Sequence, residues 1–284
     1  MHIQHFYDPR TGTLSYVVHD GEHAVAIDPV LDYDPKGAVT FTESIEALDV
    51  YLDREGLKLL YALDTHTHAD HMTALAELKR RRGCQTGIGA GITRVQETWK
   101  GLFNLPADFP TDGTPFDVLL EEGQPLMAGS LKIEPILTEG HTPASMTLKI
   151  GDALFVGDLL FMPDSGTARC DFPGGSAAVL YDAIQKLYQL PDATRVFTLH
   201  DYQPGGRELR FESTIGEQKA GNVHVSAKTS RDDFVRLRAD LERDKPAPTL
   251  LFPSVQVNIR GGELPPPEAN GVSYLKIPLN AFRS

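Results

Sequence analysis

Apolar and polar positions along the chain predict short strands that alternate with amphipathic helices. Continuous apolar runs, typical of strands buried on both faces, lie at residues 13–19, 24–30, 59–63 and 195–199. Apolar residues at helical spacing mark residues 42–55, 72–82, 92–102, 176–188 and 231–243. Further short strands are predicted within residues 118–137, together with a hairpin over residues 146–156. The mixture indicates an α/β fold.

Residues 1–284 are predicted to form a single domain. A core over residues 1–225 would hold the functional site, and residues 226–284 would add a charged helix and a Pro-rich tail that wraps the core. The apolar face of that helix carries Phe234, Leu237 and Leu241. Residues 32–41 are expected to form a loop.

Composition and charge exclude several classes of protein. The chain has 284 residues, 41% of them hydrophobic, and a formal net charge of −12. Binding to nucleic acid or to an anionic membrane needs a basic surface, so neither is expected. The two cysteines give no disulfide framework. No stretch resembles a secretory signal or a membrane span, so a cytoplasmic location is expected.

One short segment concentrates groups that bind metals. His66, His68, Asp70 and His71 lie in a predicted turn between the buried strand at residues 59–63 and the following helix. Imidazole and carboxylate groups are the ligands that zinc and iron accept. A chance cluster in a polar loop is the weaker interpretation, because four such groups occur within six residues. We therefore predict a metal site at this turn.

Three later residues follow predicted strands and extend the pattern. They are His141, Asp158 and His200. Ligands at the ends of successive strands are able to meet over one edge of a sheet. Residues 86–91 are glycine-rich, but their spacing fits neither a dinucleotide fingerprint nor a P-loop, so we assign them a structural turn.

The His-x-His-x-Asp-His motif with these later ligands resembles the metallo-β-lactamase superfamily. The resemblance implies a four-layer αββα sandwich. One branch, glyoxalase II, uses all seven residues to hold two metals. His66, His68 and His141 would then bind one zinc or mixed ion, and Asp70, His71 and His200 the other. Asp158 would bridge the two ions, and a hydroxide between them would attack a thioester.

A second branch, the persulfide dioxygenases, is resembled over nearly the whole chain. The matching segments are residues 27–30, 65–71, 140–143, 168–172, 200–202 and 257–262. This resemblance implies one Fe(II) per chain held by His66, His141 and Asp158. His68, Asp70, His71 and His200 would orient those ligands. The enzyme would oxidise glutathione persulfide with O2 to sulfite and glutathione.

The carboxylates of the expected substrate need cations, and Arg169, which matches an arginine of the family motif, is the first candidate to bind them. Tyr202, two residues after His200, is a candidate catalytic residue that would donate a hydrogen bond near the metal. Arg210 and Lys219 are weaker candidates for binding a substrate carboxylate, since solvated surface charges are common. Cys170 is either a small loop residue or a thiol that contacts substrate.

The sequence leaves the oligomeric state open, and a homodimer is one alternative.

Overall fold

The computed structural model describes residues 1–280. Its strands are β1 (His2–Asp8), β2 (Thr13–His19), β3 (His23–Ile27), β4 (Val30–Asp34), β5 (Val39–Phe41), β6 (Lys58–Leu63), β7 (Met72–Thr73), β8 (Gln85–Gly89), β9 (Val118–Leu120), β10 (Leu126–Ala128), β11 (Leu131–Leu137), β12 (Met146–Ile150), β13 (Ala153–Phe155), β14 (Arg195–Phe197) and β15 (Glu212–Thr214). Its helices are α1 (Glu43–Glu55), α2 (Leu75–Arg82), α3 (Ile92–Leu102), α4 (Ala177–Leu187), α5 (Ile215–Gly221), α6 (Arg231–Glu242) and α7 (Leu251–Asn258).

Two six-stranded sheets pack face to face at the centre of the molecule. Their strand orders are β1-β2-β3-β6-β8-β9 and β10-β11-β12-β13-β14-β15. Alternate residues of each strand point into the space between the sheets. Thus Val25 and Ile27 of β3 share one buried cluster with Ile133, Leu148 and Phe155 of the other sheet.

Helices cover the outer face of each sheet. Ala24 and Ala26, which alternate with the inward residues of β3, pack in a cluster with α1, α2, α3 and α7. The second sheet is covered by α4 and by Phe234 of α6. The four-layer αββα sandwich predicted from the sequence is therefore confirmed.

Several local predictions were wrong. Residues 32–41 are not a simple loop, because β4 and β5 pair there as a hairpin. Helix α2 begins at Leu75 rather than Met72, since Met72–Thr73 pairs with β4. On α6 the buried residues are Phe234 and Arg238, whereas Leu241 is exposed. The Pro-rich tail contains α7, which the sequence pattern did not predict.

The glycine-rich segment at residues 86–91 has the structural role predicted for it. A Cβ on Gly89 would lie 2.3 Å from Ala144 O, and one on Gly91 would lie 1.8 Å from Pro143 O. Only glycine therefore lets the end of β8 and the start of α3 approach the turn that carries His141.

The C-terminal region contacts the core. Lys276 N donates a hydrogen bond to Gln256 Oε1 on α7, and Lys276 Nζ donates to Asn104 O. The division at residue 225 stays a prediction, and residues 281–284 of the expected tail lie outside the described residues. Among residues 1–280, no helix combines the length and apolar character needed to cross a bilayer.

Candidate metal centre

The turn after β6 is fixed from the far end of the chain. Asn258 of α7 donates to both His68 O and His71 O at 2.9 Å, and its Oδ1 accepts from Thr73 N at 2.8 Å. Asn258 is almost fully buried. A buried amide that satisfies three backbone groups restrains the turn, because breaking any of these bonds would leave a polar group without a partner. The sequence resemblance includes residues 257–262, but it predicts no role for Asn258.

His66, His141 and Asp158 converge at the ends of three different strands. Their candidate ligand atoms all lie within 4.8 Å of one another. His66 Nε2 is 3.8 Å and His141 Nε2 is 3.5 Å from Asp158 Oδ2. Two imidazoles and one carboxylate thus face a common point. The structure brings together the trio predicted from the sequence.

A second group lies on the other side of Asp158. His200 Nε2 is 3.0 Å from Asp70 Oδ2 and 3.4 Å from Asp158 Oδ1. His71 Nδ1 lies 3.4 Å from Asp70 Oδ1. Asp158 therefore presents Oδ2 to His66 and His141, and Oδ1 to His200. His68 joins Asp70 and His71 in a further group of candidate ligand atoms that lie within 4.8 Å of one another, and its Nε2 lies 3.1 Å from Asp28 Oδ1.

In His66, His141 and His200, the protein contacts Nδ1, the ring nitrogen that is not directed at Asp158. His141 Nδ1 donates to Arg169 O at 2.7 Å, and His200 Nδ1 donates to Gly12 O at 3.1 Å. His66 Nδ1 lies 3.1 Å from the Thr65 hydroxyl oxygen. Partners of this kind fix the orientation of a ring so that its other nitrogen faces the metal.

Asp28 follows β3 and supports the turn after β6. Its backbone adopts φ +50°, which is rare for a residue other than glycine. Its carboxylate accepts from Thr65 N at 2.7 Å and lies 3.1 Å from His68 Nε2. Its place in the segment Ile-Asp-Pro-Val, shared with the dioxygenase branch, was the available sequence signal.

The electrostatics of the site depend on buried carboxylates. Burial disfavours the charged form of His68, but Asp28 and Asp64 outweigh it and raise its pKa well above the ordinary value. Burial likewise opposes charge on His200, whereas Asp70 and Asp158 raise its pKa to about 9. Burial lowers the pKa of His66 far below the ordinary value, with His68 and His141 adding to the effect. A lowered pKa favours the neutral imidazole, the form that binds a metal.

The site contains polar atoms that a cation would satisfy. His68 Nδ1, His71 Nε2, His200 Nε2 and Asp158 Oδ1 are buried and make no hydrogen bond with the described residues. Buried polar atoms of this kind normally have partners. Imidazole nitrogens and carboxylate oxygens are also the donors that iron and zinc accept. The residues present therefore fit a bound metal.

A cavity of about 280 Å³ opens above Asp158 and His141. Phe161, Phe172 and Tyr202 supply aromatic walls, and Lys245 contributes a cation. The Tyr202 ring stacks on His200 with centroids 5.5 Å apart, and Tyr202 is 60% exposed. This cavity gives a ligand access to His141 and Asp158. Lys245 and both phenylalanines were missed from the sequence because only the folded chain brings them there.

The other predicted substrate residues differ in their placement. Arg169 lines the cavity, but its guanidinium donates to Asp171 and to the carbonyls of Pro246 and Lys245. Cys170 is buried outside the cavity lining, and burial raises the pKa of its thiol to about 12. A thiol of this kind is unreactive at neutral pH. The structure therefore favours the interpretation of Cys170 as a small, packed loop residue.

Arg210 and Lys219 are not brought to the cavity. Lys219 Nζ pairs with Asp192 Oδ1 at 2.6 Å. Arg210 is exposed, and its backbone N–H donates to Asp201 Oδ2. Neither residue lines the cavity above the trio.

Comparison with known proteins identifies the family. Residues 8–200 match the model of the metallo-beta-lactamase superfamily. The chain belongs to the metallo-beta-lactamase superfamily. The match includes every candidate ligand, so the superfamily resemblance seen in the sequence is confirmed.

Individual members of the superfamily carry different names. The chain is 51% identical to the Beta-lactamase hydrolase-like protein of Agrobacterium fabrum over 99% of its own length, but it spans only 65% of that protein. It is 29% identical to human mitochondrial persulfide dioxygenase ETHE1, covering 92% of this chain and 88% of that protein. The crystal structure of ETHE1 from Myxococcus xanthus superposes with a TM-score of 0.74 at 29% identity, covering 93% of this chain and all of that one.

Proposed function

We propose that this chain is a non-haem iron persulfide dioxygenase that oxidises glutathione persulfide with O2. The observation that carries the proposal is the convergence of His66, His141 and Asp158, two imidazoles and one carboxylate, beneath an open cavity. That ligand set is typical of iron(II) enzymes that use O2, because it leaves adjacent positions at the metal open. The likeness to the Myxococcus xanthus ETHE1 structure supports the same assignment.

The reaction consumes one persulfide, one O2 and one water, and yields sulfite and glutathione. The terminal sulfur is oxidised, dioxygen is reduced, and the sulfur–sulfur bond breaks in the hydrolytic step. Bound Fe(II) supplies the redox chemistry that dioxygen requires. His66, His141 and Asp158 would hold that ion. The Thr65 hydroxyl and Arg169 O, which contact Nδ1 of His66 and of His141, would keep the two rings oriented.

The cavity would bind an anionic thiol carrier. Lys245 lines the cavity near Arg169 and Arg238, and burial together with these two cations lowers the pKa of Lys245. The aromatic walls would pack against the apolar part of the carrier and exclude water from the sulfur. Since Arg169 is already bonded to Asp171 and to tail carbonyls, Lys245 is the better candidate to contact a substrate carboxylate.

Replacing Lys245 by alanine is expected to raise KM for glutathione persulfide roughly three- to tenfold, with a much smaller change in kcat. The reason is that a charge-assisted contact at a solvated rim contributes to binding but not to the chemical step. Steady-state oxygen uptake would measure both constants. Lys36→Ala, on an exposed lysine outside the cavity lining, is the matched control. Equal KM values for the two variants would remove Lys245 from the substrate site.

The proposed activity has a direct test. Iron-loaded protein supplied with glutathione persulfide should consume oxygen and release one sulfite per O2. Protein with full iron occupancy that takes up no oxygen would refute the assignment. A metal-specific absorption-edge measurement on untreated protein would identify the ion present.

A cytoplasmic location is also part of the proposal.

A dinuclear thioester hydrolase of the glyoxalase II type is the second candidate. It is favoured by the second group, since Asp70, His71 and His200 also converge and Asp158 Oδ1 faces His200 at 3.4 Å. The hydrolase-like name of the Agrobacterium fabrum relative agrees with it. Metal analysis separates the candidates, because about one iron per chain favours the dioxygenase and about two zinc or mixed ions favour the hydrolase.

A further inference from the structure

We infer that Glu242 acts through the peptide bond between Arg169 and Cys170 to orient and polarise His141. The carbonyl of this peptide accepts from His141 Nδ1 at 2.7 Å. Its N–H belongs to Cys170 and donates to Glu242 Oε1 at 2.8 Å. One peptide unit thus connects a candidate metal ligand with a carboxylate on α6. The inference rests on the proposed function only in taking His141 as a ligand.

The geometry of the peptide makes the connection effective. No cis peptide bond occurs in the described residues, so the C=O and N–H of this unit point in opposite directions. Glu242 and His141 therefore bind opposite edges of one planar peptide group. A carboxylate on the N–H also polarises the amide, which makes its carbonyl a stronger acceptor. A stronger acceptor on Nδ1 makes the opposite nitrogen of His141 a better donor to a metal.

Glu242 is itself fixed by a buried arginine. Arg238 Nε and Nη2 donate to Glu242 Oε1 at 2.8 and 2.6 Å, and Arg238 Nη1 donates to Thr167 O at 3.2 Å. The side chains of Arg238 and Glu242 are only 2% and 10% exposed. Burial of two charges costs solvation energy that is recovered only with good geometry and further hydrogen bonds. A buried pair that also binds a loop at two points indicates a positioning role for both residues.

Two residues of this connection lie beyond the part of the chain that the family model matches. The family match ends at residue 200, whereas Arg238 and Glu242 belong to α6. Their helix holds the loop at residues 162–175 that forms one wall of the cavity. Helix α6 thus completes the environment of a candidate metal ligand supplied by the core.

Two double variants with the same net charge test the inference. Arg238→Met/Glu242→Gln keeps an oxygen that accepts from Cys170 N–H, whereas Arg238→Met/Glu242→Leu removes it. We expect the leucine variant to bind Zn²⁺ roughly tenfold more weakly than the glutamine variant, since loss of a partner behind a ligand typically costs tenfold or more. Competition with a chelator would measure the affinities, and Arg236→Met, on an exposed arginine of α6, is the control.

The outcomes are distinct from those of the activity test. Equal zinc affinities in the two double variants would overturn the inference even if the iron-loaded enzyme consumes oxygen. Absence of oxygen uptake would overturn the proposed function and leave the zinc comparison intact. If either double variant does not fold, hydrogen exchange of the Cys170 amide in the unaltered protein decides. Slow exchange supports the bond to Glu242, and exchange at the rate of an open loop overturns it.

Discussion

His141→Ala is expected to lose iron and activity together, whereas His200→Ala should retain much of its iron. His141 is one of the three side chains that converge on the proposed ion, and its nitrogen lies 3.5 Å from Asp158 Oδ2. Removing one of three protein ligands should weaken iron binding by more than about a hundredfold. That loss exceeds the effect of removing a group that only hydrogen-bonds to a ligand. His200 contacts Asp70 and Asp158 from the other side. Iron content after purification and oxygen uptake would be compared.

His23→Ala is the control, because His23 lies outside the two ligand groups. Its iron content should equal that of the unaltered protein. Equal loss of iron in the His141 and His200 variants would contradict the single-ion assignment. It would favour two ions that share Asp158, and with them the thioester hydrolase.

Gly91→Ala is expected to lower the free energy of unfolding by roughly 3 kcal/mol. The added methyl group would lie 1.8 Å from Pro143 O, and the obstructing atom belongs to the backbone, which moves only with the whole turn. That turn carries His141, so metal affinity should fall as well. Chemical denaturation of the metal-free protein and zinc titration would measure the two effects.

Gly101→Ala on the same helix is the matched control. Nothing lies within 4 Å of the position of its Cβ, so alanine should fit without strain. Because glycine is a poor helix former, this variant should be about 0.5 kcal/mol more stable than the unaltered protein. A Gly91→Ala protein as stable as Gly101→Ala would show that the turn relaxes easily, and would weaken the structural account of the glycine-rich segment.

Much of the fold follows from local patterns. The apolar runs at β2 and β6 and the helical spacing of α1, α3 and α4 are properties of neighbouring residues, and the structure confirms these elements within a residue or two. The strand predicted at residues 24–30 ends earlier, as β3 stops at Ile27 and Val30 begins β4. One of the wrong predictions involves pairing between distant segments. Met72 joins a strand because β4 lies beside it, and no periodicity within residues 72–82 carries that information.

The candidate site divides in the same way. The sequence by itself determined the ligand types, because the spacing of His66, His68, Asp70 and His71 places donors on one turn after a buried strand. Only the tertiary structure decided what surrounds them. Asn258 reaches the turn across 190 residues from His68, and Glu242 meets Cys170 across 72 residues. The physical reason is that hydrogen bonds and cavity walls depend on distances in space, which separation along the chain does not encode.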